Sequence, residues 1–292
     1  RGDVVAVMDW DTHRYLEAFF AVPMLGSTLH TVNIRLSPSQ IAYTIDHAED
    51  DVILFHADFI PLLEEVMLEV KRDARLIVMR DSADIELPQT TLKIEAIFDE
   101  LFINTDQYFS FPDFDENTRA TTFYTTGTTG NPKAVAYSHR QLVLHTMGIL
   151  ATFGPMSANN RFHNRDVYMP ITPMFHVHGW GFPYAATMLG LKQIYPNRYV
   201  PSRILALICK HRVTFSHCVP TILHMLLDCD TAASADLSNW KLIIGGSALS
   251  RGLAERALAK GINLFSAYGL SETCPLLTVA QLNPIDEDNL EA

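Results

Sequence analysis

Tyr124-Thr-Thr-Gly127-Thr-Thr-Gly130-Asn-Pro-Lys133 is the most informative stretch of this 292-residue chain. Four threonines (Thr125, Thr126, Thr128, Thr129) and two glycines fill six consecutive positions. A strand-like run, Thr122–Thr125, leads into the segment, and another, Ala134–Tyr137, leaves it. Glycine lets backbone N–H groups approach an anion, small hydroxyls add donors, and Lys133 supplies positive charge. Such a loop suits the phosphates of a nucleoside triphosphate. It is not a Walker A loop, because Pro132 stands where a glycine must precede the lysine and Ala134 replaces the following Ser or Thr. Composition alone leaves another reading open, a hairpin turn without a ligand, since Gly and Thr are common in turns.

Working outward, the chain alternates strand-like and helix-like segments. Val4–Met8, Asp51–Phe55 and Leu76–Met79 read as strands, with helices over Thr12–Leu25 and Phe59–Val70. Ser37-Pro38-Ser39-Gln40 is a helix start: an N-cap serine, a first-turn proline and a capping-box glutamine. Beyond the loop, a helix is expected from about Arg140 to Ala151. Strands follow at Val167–Met169, Gln193–Tyr195, Thr214–Cys218 and Leu242–Ile244, with helices near Pro201–His211 and Arg251–Lys260. This alternation predicts an α/β fold whose mostly parallel sheets are covered by helices. The least regular segment, Asp106–Thr118, is read as a crossing between two subdomains, 1–118 and 119–292.

The composition is that of an ordinary globular protein, with 48% hydrophobic residues. A formal charge of −11 and a sequence pI near 5.5 oppose nonspecific nucleic-acid binding, which needs clustered Lys and Arg. The four cysteines form neither a CxxC pair nor a zinc-finger spacing with histidine, and no Asn-x-Ser/Thr acceptor occurs; a reducing cytoplasm is expected. No run of about 18 apolar residues suggests a membrane span. The sequence opens at Arg1, without an initiator Met, and runs almost at once into a strand, so it is expected to be a piece of something longer.

Two further segments carry chemistry. Pro173-Met-Phe-His176-Val-His178-Gly-Trp180 precedes the apolar stretch Gly181–Leu191. A His-x-His pair suggests a metal, but two imidazoles on opposite faces of a strand, with no third ligand at helical spacing, argue against zinc. Tyr268-Gly269-Leu270-Ser271-Glu272-Thr273 is preceded by Gly245-Gly246-Ser247-Ala248. An aromatic face such as Tyr268 can stack on an adenine, with glycines permitting close approach. A carboxylate such as Glu272 suits Mg²⁺, a hard cation that prefers oxygen ligands.

Together the three segments resemble the signature motifs of the adenylate-forming superfamily, in the family's order. The threonine-rich segment is similar to Tyr-Thr-Ser-Gly-Thr-Thr-Gly-x-Pro-Lys-Gly, with Thr126 where serine is common and Ala134 at the final glycine. The histidine segment resembles the family's aromatic-His motif. The tyrosine segment resembles its Tyr-Gly-x-Thr-Glu, with Ser271 in place of threonine. Gly26–Pro38 (GSTLHTVNIRLSP) is similar to the medium- and long-chain fatty acyl-CoA synthetases. The resemblance implies the large N-terminal domain of that type, with stacked sheets, and with the small C-terminal domain absent.

By the same resemblance, Thr125, Thr126, Gly127, Thr128, Thr129, Gly130 and Lys133 hold ATP phosphates. Gly246, Ser247, Ala248, Ala267, Tyr268 and Gly269 border the adenine, and Ser271 contacts the α-phosphate. Thr125 and Glu272 help coordinate Mg²⁺. His176, Val177, Trp180 and Gly181 line the acyl site, and Lys133, His176 and Glu272 are assigned to catalysis. The implied reaction joins a fatty carboxylate to AMP and then to coenzyme A. Peripheral membrane contact and a homodimer are compatible with it. The family's ribose aspartate, hinge and C-terminal lysine would lie beyond Ala292, so this chain alone is expected to bind nucleotide weakly and turn over negligibly. Rival readings are an aryl- or luciferase-like ligase, an amino-acid adenylation domain, and a noncatalytic nucleotide-binding fragment. An amino-acid activator would usually carry an aspartate in the aromatic-His region, where this chain has Phe175-His176-Val177-His178.

Overall fold

A computed structural model describes residues 1–82, 84–103, 108–126, 130–156 and 160–280. The chain divides into two compact units, one of residues 1–145 and 173–179, the other of 146–172 and 180–292.

In the first unit the described residues form a seven-stranded sheet in the order β5-β4-β3-β1-β2-β6-β7. Its strands are β1 (Val4–Met8), β2 (Thr28–Thr31), β3 (Val52–His56), β4 (Arg75–Met79), β5 (Ile94–Ile97), β6 (Arg119–Thr125) and β7 (Lys133–Ser138). All neighbours are parallel except the β6–β7 hairpin. Helices α1 (His13–Met24), α2 (Pro38–Ala48) and α3 (Ile60–Met67) connect the early strands, as βαβ crossovers must. The expected capping box is formed: Gln40 N donates to Ser37 Oγ, and Ser37 N donates to the Gln40 side chain. Ile41 and Ile45 of α2 and Ile60 and Leu63 of α3 bury against Ala6, Ile53 and Phe55 of the sheet.

In the second unit the order is β13-β12-β11-β10-β8-β9. These strands are β8 (Val167–Pro170), β9 (Lys192–Gln193), β10 (Phe215–Cys218), β11 (Lys241–Ile244), β12 (Asn263–Gly269) and β13 (Leu276–Val279), with β13 alone antiparallel among the described pairs. Every residue of β10 and β11 is buried, the pattern of central parallel strands covered on both faces. Helices Phe182–Met188, Pro201–His211 and Pro220–Leu227 each carry proline in the first turn, where its missing N–H costs nothing. Trp240 anchors the core, donating its indole N–H to Ser216 Oγ at 3.0 Å.

Several expectations need correction. The compact units do not part at 118/119. β6 pairs with β2 through Leu29↔Thr121 and Thr31↔Phe123, which keeps the hairpin in the first unit, and the chain changes unit within α4 (His139–Phe153). The helix expected over Phe59–Val70 is a 3-10 turn, Ala57–Phe59, followed by the shorter α3. Strands β2, β5, β12 and β13 lay outside the expected strands; β2, β5 and β13 span four residues each, too few for a clear alternation of their own. Among the described residues no helix is long and apolar enough to cross a membrane.

Candidate functional site

In the first unit the threonine-rich segment is carried by the β6–β7 hairpin. Thr125 stands directly opposite Lys133 across the ladder, so a hydroxyl and an ammonium flank the mouth of the loop. Thr125 Oγ1 reaches Lys133 O at 3.5 Å, while Thr126, Gly130 and Lys133 are exposed. Gly127, Thr128 and Thr129 lie outside the described residues.

The segment 173–179 belongs to this unit although it lies far along the chain. Asp11, just past β1, accepts from Met174 N at 2.8 Å, and Thr31, at the end of β2, donates to Phe175 O at 3.0 Å. Thr125 also closes its strand. Asp11, Thr31 and Thr125 thus stand at the carboxyl edge of a parallel sheet, the edge at which open α/β sheets take their ligands. His176 keeps an exposed surface, yet desolvation by its surroundings, and then the charge of Arg35, hold its imidazole below the ordinary value.

The histidine pair is not on a strand. Val177, His178, Gly179, Trp180 and Gly181 all have left-handed φ, from 48° to 74°. For the non-glycine members this costs roughly 1–2 kcal/mol each. The turn sends the two imidazoles to different fates. His178 is 1% exposed, hydrogen-bonds Thr121 Oγ1 through Nε2, and sits edge-on to Phe19, Phe123 and Tyr137. Desolvation, aided by His145, pushes it down to about 3, so it is a neutral core residue. Val177 is buried as well, at 2%.

In the second unit the motif residues again follow the carboxyl ends of parallel strands. Trp180 is 6% exposed and stacks on His217, ring centroids 5.2 Å apart. A Cβ placed on Gly245 would stand 3.2 Å from the Trp180 indole and 3.0 Å from Ala267 O; one on Gly246, at φ +79°, would stand 3.1 Å from Val219. These glycines therefore serve the protein's own packing of Trp180, where the sequence suggested only approach to a nucleotide. Gly181 is buried and caps helix Phe182–Met188, whereas Ser247 and Ala248 are exposed.

Tyr268, the penultimate residue of β12, is 58% exposed and so available for stacking. Gly269 has an internal duty: a Cβ there would fall 2.0 Å from Pro275 O. The tight return it permits is closed by Leu270 N to Pro275 O at 3.1 Å and Thr273 N to Leu270 O at 3.0 Å. That hairpin holds Ser271 half-buried and Glu272 exposed. Glu272 offers a hard carboxylate, a donor of the kind Mg²⁺ accepts alongside substrate phosphates. Asp11, Thr31 and Val219 escaped the sequence reading, since no local pattern marks a contact 163 residues away such as Met174 to Asp11.

Two mostly parallel sheets, each with hydroxyls, glycines or acidic side chains at its carboxyl edge, make an α/β architecture of the kind that takes ligands at that edge. The chain belongs to the AMP-binding enzyme family, which it matches over residues 1–291. It is 40% identical over 278 residues to a long-chain-fatty-acid–CoA ligase of Thermus thermophilus, covering 94% of this chain and 48% of that one. It is 39% identical over 288 residues to a 3-methylmercaptopropionyl-CoA ligase of Ruegeria pomeroyi, covering 95% and 51%. Among solved structures, a long-chain-fatty-acid–CoA ligase of Archaeoglobus fulgidus shares the fold with TM-score 0.79 at 19% identity, over 99% of this chain and 56% of that one. The anthranilate–CoA ligase AuaEII in complex with anthranoyl-AMP matches with TM-score 0.83 at 20% identity, over 97% and 54%. The chain spans about half the length of the curated relatives it matches.

Proposed function

We propose that this chain carries nucleotide- and acid-binding parts of an AMP-forming acid–CoA ligase acting on an aliphatic carboxylic acid, a fatty acid in the first instance. In the first half-reaction a carboxylate oxygen attacks the α-phosphorus of ATP, and the bond to the pyrophosphate oxygen breaks. In the other half, the coenzyme A thiolate attacks the acyl carbon and AMP leaves. The carrying observation is the hairpin register that sets the Thr125 hydroxyl opposite the Lys133 ammonium at a loop mouth.

Thr125, Thr126, Thr128, Thr129 and Lys133 are assigned to the phosphates. Gly127 and Gly130 supply backbone approach, and Ser271 a hydroxyl toward the α-phosphate. Donors fixed before the reaction stabilise charge as it builds on phosphate oxygens, and losing one costs ~3–4 kcal/mol. Tyr268, with Gly246, Ser247, Ala248 and Ala267, is assigned to the adenine. His176, held neutral by its surroundings, can meet the carboxylate being activated without pairing with it as a cation. Mg²⁺, when bound, neutralises phosphate charge, and Glu272 and Thr125 are the residues proposed to hold it. Val177, Trp180 and Gly181 are assigned to the wall of the acyl site. The same reading places the protein in the cytoplasm.

Two relatives of nearly equal identity, one named for long-chain fatty acids and one for 3-methylmercaptopropionate, favour an aliphatic acid but leave chain length open. The test is pyrophosphate release by the full-length enzyme with a panel of aliphatic, aryl and amino acids. Activity confined to aryl or amino acids would replace the substrate assignment. Lys133→Ala and Glu272→Ala are each expected to lower adenylation at least a hundredfold while the fold persists. Unchanged activity in both removes the site.

A further inference from the structure

Tyr124 opens the threonine-rich segment, and none of the roles above uses it. β6 pairs with β2 through Leu29↔Thr121, His30↔Thr122 and Thr31↔Phe123 and no further. Among the described residues, Tyr124 and Thr125 keep only their ladder partners on β7, Ala134 and Lys133. The last two residues before the loop are therefore laddered on one side alone, and such strand ends open most easily.

The Tyr124 side chain supplies the missing side. Its hydroxyl shares a 2.8 Å hydrogen bond with His47 Nδ1, in the last turn of α2. Its ring lies 5.1 Å from the imidazole of His30 on β2 and 5.7 Å, edge-on, from that of His47. His30 Nδ1 in turn sits 2.8 and 3.1 Å from the two carboxylate oxygens of Asp50, which follows α2 and closes its amide onto Ile45 O at 3.1 Å. Side chains thus link α2, β2 and β6 in a closed circuit. His30 and Asp50 are 1% and 0% exposed, so water does not compete for their bond; Tyr124 is 4% exposed, while its partner His47 is exposed and their bond is part-buried. The anchor is firm, because α2 is capped at its start by Ser37 and Gln40 and ends on a left-handed Glu49. Burial raises the Tyr124 phenol well above its usual range, which keeps its proton in place.

We propose that Tyr124 is a positioning residue: through His47 and His30 it fixes the end of β6 so that Thr125 and Thr126 meet the phosphates in one orientation. The identity of the ligand rests on the function proposed above, whereas the hold on the strand does not.

The test uses the purified chain, with residue-resolved hydrogen exchange and with binding of Mg-ATP. Tyr124→Phe keeps the ring and removes only the hydroxyl, and His47→Ala removes its partner. Each is expected to speed exchange at Thr125 and Thr126 about threefold to tenfold, the worth of one hydrogen bond, and to weaken Mg-ATP binding by a similar factor. Exchange at residues 119–123 and the melting temperature should hold. The double variant should be no worse than either single one. His47→Asn, whose amide can reach the place of Nδ1, should restore wild-type behaviour. Unchanged exchange at Thr125 and Thr126 overturns the proposal, as does faster exchange throughout β6 and α2, which would mean general destabilisation. Unchanged Mg-ATP affinity in the variants, where the wild type binds, overturns it too. A wild-type chain with no affinity for Mg-ATP but with the expected exchange pattern upholds the hold on the strand and sinks the nucleotide reading instead.

Discussion

Gly269→Ala separates an internal use of the Tyr-Gly motif from a ligand-facing one. In the native hairpin the position of the added Cβ is 2.0 Å from Pro275 O and 2.7 Å from its carbonyl carbon. Reaching even 3.0 Å requires the two segments to part by about 1 Å. The Leu270 N to Pro275 O bond, 3.1 Å long, then stretches to about 4 Å and is lost. The bond from Thr273 Oγ1 to the same oxygen goes with it. Two hydrogen bonds at roughly 1 kcal/mol each give a local loss of about 2 kcal/mol. Protection of the Leu270 amide against hydrogen exchange should fall about thirtyfold. Tyr268 leads into this hairpin and Glu272 lies in its connecting turn, so Mg-ATP binding should weaken in the same variant while the β10–β11 core keeps its protection. If the Leu270 amide stays within threefold of wild type and ATP binding alone is lost, the steric reasoning is wrong and Gly269 is there for the ligand.

Three further outcomes follow from burial. Trp180→Ala empties a site 6% exposed beneath Gly245 and beside His217, and should cost ~3–5 kcal/mol in urea denaturation; a loss under 1 kcal/mol would mean the indole is not part of the packed core. Lys241, 8% exposed, pairs at 2.7 Å with Asp166, 2% exposed, at the amino edge of the second sheet. Lys241→Met should cost about 3–5 kcal/mol by stranding that carboxylate, and adding Asp166→Leu should recover at least half; no recovery would show that the charge pair is not the cause. Acid should also destabilise the fold. Burial pushes His178 and His217 down to about 3 and His145 to about 4, so the unfolded chain binds protons that the folded one refuses. Their contribution is present above the unfolded histidine range near 6.5 and is lost as pH falls below it. Asp9, pushed up to about 7 by burial, works oppositely, stabilising at low pH and losing that contribution as pH rises through 7. Asp50, raised by burial as well, acts in the same sense as Asp9. Five histidines held below their usual value (His139, His145, His176, His178 and His217) outnumber the two raised carboxyls, so stability should rise with pH between pH 4 and 6. A denaturation midpoint that is flat over that interval contradicts the assignment of these histidines as neutral groups.

What the amino-acid order determined by itself was local. The Ser37–Gln40 box and the proline-started helix Pro201–His211 are set by backbone groups within four residues of one another, so a short window of sequence contains their cause. The family motifs were legible for the same reason, as unbroken segments. Other features were decided only when distant segments met. β6 joined the first sheet through a partner 92 residues away, as Leu29↔Thr121, and moved the boundary between the units past residue 118. Met174 found Asp11, and Tyr124 found His47 on a helix 77 residues earlier. The glycines at 245, 246 and 269 acquired their duties from Trp180, Val219 and Pro275, neighbours that exist only in the folded chain. Burial and strand pairing answer to the whole chain's surface and hydrogen-bond balance, and no short window of sequence contains that balance.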